Sequence, residues 1–441
     1  MDETKWHRAR LIPIAGVKGD REAEQRATSA FLAVLSVVRD LSDELLTPLG
    51  ASSAGKAVVE TFTEVTIKSA GRSLRPDGLI RVTYGKSSFT ALVEVKTGSN
   101  ALDKDQVNSY WRAATGEKFD HVITISNEIA TGGSHPVRGL RFQKNSPVKV
   151  SHISWARILS TALRLRNHKG VDDPEQAWIL GELVRYLEHP ASGVIPMADM
   201  GMHWTKIRDG ARVGTLNKRT QGVREIATKI DEIFAFGSLV LSSEIGEDVD
   251  VVLPGSLRSR TARIDTLEGA IIAGEAVEGR LRIPNTAGDI ETSIDMRAQQ
   301  LSMSIDVKAP EDMGSLGRVG WMLRQLRESS GDLMVEAYAR NTRIPVAASL
   351  RDVRENRKVL RADDGSLPYR FVMTKRAPMP HGRKSRGRKA GFVDGYMALL
   401  ADFYEDVVQG IVPWHPRAPK RVQVAPESDV DATRIDSPQR T

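Results

Sequence analysis

One stretch constrains this chain more than any other: RPDGLIRVTYGKSSFTALVEVKTG, from Arg75 to Gly98. Two runs rich in β-branched and aromatic residues, DGLIRVTY and FTALVEVK, flank GKSS, which is the pattern of an antiparallel hairpin. The second run is almost wholly apolar, yet it ends in a carboxylate and an ammonium. Side chains alternate faces along a strand. Glu94 and Lys96 therefore project together, while Val93 and Val95 point the other way. Closing the hairpin about GKSS brings Asp77 level with Glu94 and Lys96. Charges at the end of an apolar strand cost free energy unless they are paired or put to use. An ordinary surface hairpin, with Asp77 in a Pro-Asp-Gly turn, accounts for Asp77 but gives no reason for Glu94 and Lys96.

Two converging carboxylates and a main-chain carbonyl, here that of Val95, form a hard oxygen set. Mg2+ takes such ligands and keeps several waters. The ion polarises a phosphodiester and lowers the pKa of bound water. A lysine beside it holds the attacking water or offsets charge on the pentacovalent phosphorus.

Pro76–Asp77 and Glu94–Val95–Lys96, in this strand–turn–strand context, resemble the PD-(D/E)xK nuclease superfamily. QVNSY, from Gln106 to Tyr110, is similar to the Gln-xxx-Tyr element of RecB-type members, which lies on the helix after the ExK strand. The resemblance covers roughly residues 20–165. It implies an α/β fold with a restriction-endonuclease-like mixed sheet flanked by helices. It implies Asp77, Glu94 and the Val95 carbonyl as Mg2+ ligands, with Mn2+ able to substitute, and a catalytic Lys96. Gln106 and Tyr110 would orient the site, and an acid from the first helix would complete it. Glu24 shares the apolar face of that helix with Ala27 and Phe31, whereas Glu22 lies on the polar face; Glu64, before Asp77, competes for the role. The implied product end is a 5′-phosphate.

The rest of the chain reads more coarsely. Residues 20–46 have helical spacing, with Asp20 as cap and Ala27, Phe31, Leu35 and Val38 on one face. VVETFTEVTI reads as a strand, LDKDQVNSYWRAAT as a helix, HVITIS and VKVSHIS as strands, and WARILSTALRLR as a helix. This gives a nuclease-like domain over 1–167. A boundary falls in NHKGVDDPEQ, and residues 168–243 form a helical segment in which Pro174 opens a helix. A strand-rich α+β domain follows over 244–415, including AIIAGEAVEGRLRIP and IETSIDMRAQQLSMSIDVKAP. The Pro-, Asp- and Arg-rich tail, 416–441, has the composition of disorder.

With 441 residues, two or three domains are expected. The net charge is +7, and its distribution says more than its sum. RKSRGRK places Arg383, Lys384, Arg386, Arg388 and Lys389 in one acid-free loop, with Arg376 and His381 just before it. Such a cluster neutralises several phosphates regardless of base sequence. The chain has no cysteine, which excludes disulfides, thiolate metal sites and cysteine nucleophiles. It has neither a signal-peptide core nor about 18 consecutive apolar residues, so a cytoplasmic protein without membrane spans is expected. GASSAGKA, from Gly50 to Ala57, nearly matches a phosphate-binding loop. It lacks the final hydroxyl and a preceding strand, which argues against an NTPase.

The combined expectation is a Mg2+-dependent nuclease of DNA, in repair, restriction or anti-phage defence. The C-terminal half would hold substrate or recruit a protein partner. The alternative is a non-catalytic DNA-binding or assembly protein built on a nuclease fold.

Overall fold

The computed structural model describes residues 12, 19–52, 57–69, 72–140, 142, 146–340, 343–387 and 389–415. Where the sequence reads as one helix over 20–46, there are two: α1 (Asp20–Val37) and α2 (Arg39–Leu46). Val38 is extended between them (φ −87, ψ 99) and is fully buried. Two successive β-branched residues disfavour continuation of the helix, and the core takes Val38 where it ends. Asp20 is not the cap: Gly19 occupies that position, and no side chain bonds there. The predicted apolar face holds, since Ala27, Phe31, Leu35 and Val38 are all buried.

VVETFTEVTI also divides. β1 (Val58–Thr63) stops at Glu64, whose φ of 55 turns the chain. β2 (Ile67–Ser69) then pairs with β3 (Arg72–Leu74) in a small separate hairpin. β4 (Gly78–Tyr84) and β5 (Ser87–Val95) pair antiparallel, Gly78 opposite Val93 and Tyr84 opposite Ser87. That register leaves Gly85–Lys86 as a two-residue turn, and Gly85 supplies the positive φ (58) that such turns require.

Next come α3 (Lys104–Gly116), β6 (His121–Ser126), β7 (Lys149–Ser154) and α4 (Trp155–Arg164). Five strands form one mixed sheet in the order β1-β4-β5-β6-β7. It is antiparallel from β1 to β5 and parallel from β5 to β7. Parallel pairing of β5 and β6 requires a crossover, which α3 supplies. β5 is central and covered on both faces. Val93 and Val95 pack with Phe31, Leu35 and Trp155. Leu92, on the other face, packs with Tyr110, Ala113 and Ala114 of α3.

Residues 168–243 are largely helical, in α5 (Pro174–Leu187), α6 (Trp204–Val213) and α7 (Val223–Ile245). Their packing is divided. Leu180, Leu183, Val184 and Tyr186 of α5 join the core of the five-stranded sheet, whereas α6 and α7 join the next core.

That second core is built on β8 (Asp250–Val251), α8 (Arg260–Ala273), β9 (Val277–Arg282), β10 (Ile290–Asp295), β11 (Gln300–Lys308), α9 (Ser315–Gln325), β12 (Met334–Ala339), β13 (Val346–Ser349), α10 (Leu350–Glu355), β14 (Pro368–Pro378) and α11 (Phe392–Phe403). Seven strands run in the order β13-β12-β14-β11-β10-β9-β8 and pair antiparallel throughout. Of AIIAGEAVEGRLRIP, expected to be strand-rich, AIIA instead closes α8 and VEGRLR forms β9. Alternating burial along β11 (Leu301, Met303, Ile305, Val307) marks a sheet with one face on the core.

The two sheets are tied by buried polar contacts. Arg263 of α8 meets Asp231 of α7 at 2.8 Å and donates to Thr131 O, beyond β6, at 3.2 Å. Ser160 of α4 donates to Leu239 O at 2.6 Å. The chain is thus a mixed α/β protein. Among the described residues no helix is long and apolar enough to cross a membrane. The tail from Pro416 lies outside the described residues.

Candidate active site

At the C-terminal end of β5, carboxylates from three elements converge on one nitrogen. Lys96 Nζ lies 2.6 Å from Glu94 Oε1, 3.4 Å from Glu24 Oε1 and 4.0 Å from Asp77 Oδ2. It also donates to Val95 O at 2.9 Å. Each group arrives by its own route. Asp77 stands just before β4, and its Oδ2 accepts the Val95 N–H at 2.8 Å, which pins the carboxylate across the strand pair. Glu94 lies on the α3 face of β5 and is 1% exposed. Glu24 comes from α1, and its Oε2 accepts from Asn100 Nδ2 at 3.5 Å. The Lys96 backbone is clamped as well: its N–H donates to Ile125 O at 2.8 Å, and its carbonyl accepts from Trp155 Nε1 at 2.9 Å.

Behind the cluster, Gln106 Nε2 donates to the Tyr110 hydroxyl at 3.1 Å, as their spacing of four on α3 allows. The Tyr110 hydroxyl in turn donates to Arg75 O at 3.0 Å. This bond holds the main chain two residues before Asp77. Glu94 Oε2, on the same side, is buried and has no partner of good hydrogen-bond geometry among the described residues, although the phenol lies close enough to bear on its ionisation.

The electrostatics follow from this geometry. Burial pushes the Glu94 carboxyl up to about 7, the Asp77 charge pushes the same way, and Lys96 opposes both. Burial alone would lower the Lys96 ammonium, but Glu94, Asp77 and Glu24 outweigh it and hold it above its ordinary value. Burial raises the Tyr110 phenol, and Glu94 adds to the rise, so it stays protonated.

Among the described residues no group of three or more His, Asp and Glu side chains is gathered as a metal site. Two of the oxygens expected to hold Mg2+, Glu94 Oε1 and Val95 O, accept from the Lys96 ammonium instead, and Asp77 Oδ2 accepts from the Val95 N–H. Their chemistry nevertheless suits a small divalent cation. Every donor is a hard oxygen, Glu94 Oε2 has no partner of good hydrogen-bond geometry among the described residues, and the Asp77 side chain is 29% exposed.

Glu64, the competing acid, sits exposed in the turn after β1 and makes no hydrogen bond or ion pair with the cluster among the described residues. Glu22 pairs with Arg26 at 2.7 Å. Asn100 and Trp155 complete the surroundings without having been singled out from sequence. Asn100 lies in a loop, where no periodicity marks a contact, and Trp155 reads simply as the apolar start of a helix.

The basic loop is closed by bridges between Gly382 and Gly391 and between Arg386 and Lys389. Arg383 lies 3.6 Å from Asp199. Lys384, Arg386 and Lys389 are exposed and make no ion pair among the described residues. They border a surface hollow with Met202 and Thr205. Arg388 lies outside the described residues, as do Ser53–Lys56 of GASSAGKA. No family model matches the chain, and no curated protein or solved structure gives a significant match.

Proposed function

We propose that this chain is a Mg2+-dependent nuclease that hydrolyses phosphodiester bonds of DNA on a restriction-endonuclease-like core. The observation that carries the reading is the placement of Asp77, Glu94 and Glu24 around Lys96 Nζ, all within 4.0 Å. Strand order supports it: three antiparallel strands, then a helical crossover to parallel ones.

In this reading Asp77, Glu94 and the Val95 carbonyl hold the ion. When bound, the ion polarises the scissile phosphate and acidifies water. Lys96 presents its charge to the phosphate oxygens and orients the attacking water. Glu24 positions Lys96, and Asn100 positions Glu24. Tyr110, steadied by Gln106, fixes the backbone that delivers Asp77. Lys384, Arg386 and Lys389 hold phosphates of the substrate at no cost in broken ion pairs.

The test incubates wild type and Lys96→Ala with duplex, single-stranded and branched DNA and with RNA, in Mg2+, Mn2+ or EDTA. Wild type is expected to cut DNA with either metal and not in EDTA, and Lys96→Ala to be slower by at least about a hundredfold. Equal cleavage by both proteins rejects the mechanism. A second reading, a nuclease-like fold that only binds DNA, is favoured by one observation: two of the expected metal ligands, Glu94 Oε1 and the Val95 carbonyl, already accept from Lys96. Its signature is salt-sensitive DNA binding with no cleavage in any metal.

A further inference from the structure

A cavity of about 240 Å3 lies between the segment after β6 and the helices α7 and α8. Three guanidiniums line it: Arg138 from that segment, Arg224 from α7 and Arg260 at the start of α8. Their charges are unevenly answered. Arg224 is paired, 2.6 Å from Asp265 and 2.7 Å from Glu268. Arg138 makes no ion pair within 4.0 Å among the described residues. Burial, then Arg224 and Arg260, lower its pKa against the pull of Asp265 and Glu268.

Arg260 is the more telling group. Its side chain is only 10% exposed. Its nearest carboxylate oxygen is Glu232 Oε1, a distant 3.5 Å away, and Glu232 also serves Lys229 at 2.8 Å. One terminal nitrogen donates to Pro136 O at 2.5 Å, the other reaches Glu232 at 3.5 Å, and Nε has no hydrogen-bond partner among the described residues. A buried guanidinium with an unmet donor is costly unless something else completes it.

The surroundings favour an anion. Arg260 is the first residue of α8, and Ser259 before it makes no side-chain capping bond, so the positive end of the helix is open there. Thr261 adds a hydroxyl to the wall. His135 contributes no charge: burial and Arg260 hold its imidazole down at about 4. Its Nδ1 accepts from Val137 N, and its Nε2 shares a bond with Thr124. Val137 and Ile264 make the rest of the wall apolar.

We propose that this cavity is a binding site for a phosphate monoester. Arg138, Arg260 and the first turn of α8 take the phosphate, and Val137 and Ile264 face the group that carries it. Planar guanidinium forks match phosphate oxygens in pairs. The site is separate from the Lys96 cluster and does not depend on the nuclease reading. Because its walls come from both sheet-bearing halves, its ligand would brace one against the other. Two sources share this chemistry: a free nucleoside monophosphate and the 5′-phosphorylated end of a nucleic acid.

Calorimetry in EDTA with three probes tests the proposal: inorganic phosphate, AMP, and one short oligonucleotide bearing either a 5′-phosphate or a 5′-hydroxyl. Arg138→Gln and Arg260→Gln are the variants, and Arg138 is exposed and makes no ion pair among the described residues, so the first should fold normally. Wild type is expected to bind AMP or the 5′-phosphorylated oligonucleotide saturably, roughly ten- to a hundredfold more tightly than either variant. Lys96→Ala should bind AMP as wild type does. AMP binding without a preference between the oligonucleotides assigns the free nucleotide. A 5′-phosphate preference that Arg138→Gln abolishes assigns the nucleic-acid end. Absence of binding to every probe, or binding that Arg138→Gln leaves unchanged, overturns the proposal.

Discussion

A carboxylate buried beside a second carboxylate resists ionisation, and Glu94 is held in that state by burial and by Asp77, up to about 7. The folded protein therefore keeps a proton that the unfolded chain releases in the ordinary carboxylate range. The stability this lends is complete below that range and is lost as pH rises through about 7. Glu94→Gln cannot ionise, so its unfolding free energy should gain on wild type between about pH 5 and 8. Denaturant unfolding across that interval checks this, and a constant difference refutes it. The proposed metal binding would have the opposite dependence, because it needs the ionised carboxylate. Cleavage should climb with pH through the same interval. Tyr110→Phe removes the bond to Arg75 O and should cost about 1 kcal/mol of stability. Its loss of cleavage should be smaller than that of Lys96→Ala, by initial rates at matched concentration. The sequence was informative here for a simple reason. Period-two alternation places Glu94 with Lys96, and helical spacing separates Glu24 from Glu22. Asn100 had no such signal, because loop residues follow neither period.

Among elements, the close approach of α1 to β4 depends on Gly78. A Cβ there would sit 2.5 Å from Leu32 Cδ1 and 3.0 Å from Phe62 O. The leucine can turn aside, but the carbonyl belongs to the paired strand and moves only with it. Gly78→Ala should therefore cost about 1–3 kcal/mol. It should also slow cleavage by displacing Asp77 next door; unchanged thermal stability and rate would show that the contact relaxes freely. Strong local patterns made β4, β5, α3, β6 and β7 readable. The break at Val38 was not, because a buried contact outweighs the continuing helical pattern there. AIIA in α8 misled for a related reason: a short apolar run fits helix or strand equally well. The turn at Glu64 was hidden because a non-glycine residue adopts the positive φ.

For the whole molecule, Arg263 reaches across the joint between the two halves to Thr131 O and Ser134, and Asp231 of its own half holds it there, each side chain 4% exposed. Removing one partner strands the other charge, so Asp231→Ala should lose about 3–5 kcal/mol, measured by chemical denaturation. A loss near zero would mean that this ion pair adds nothing to the stability of the joint. Composition and turn signals revealed that the second half is strand-rich. They could not give the order β13-β12-β14-β11-β10-β9-β8, in which β14 enters between strands far from it in sequence. Nor could they give the cavity under α8, whose walls meet only in three dimensions. The proposed metal-assisted phosphodiester hydrolysis at the end of β5 meets its sharpest test in cleavage of end-labelled DNA across a Mg2+ titration, with wild type and Asp77→Asn side by side. The expected rate saturates with Mg2+ in wild type, vanishes in EDTA and falls by about a hundredfold or more in Asp77→Asn. Equal rates in the two proteins, or cleavage that survives EDTA, would contradict the proposal.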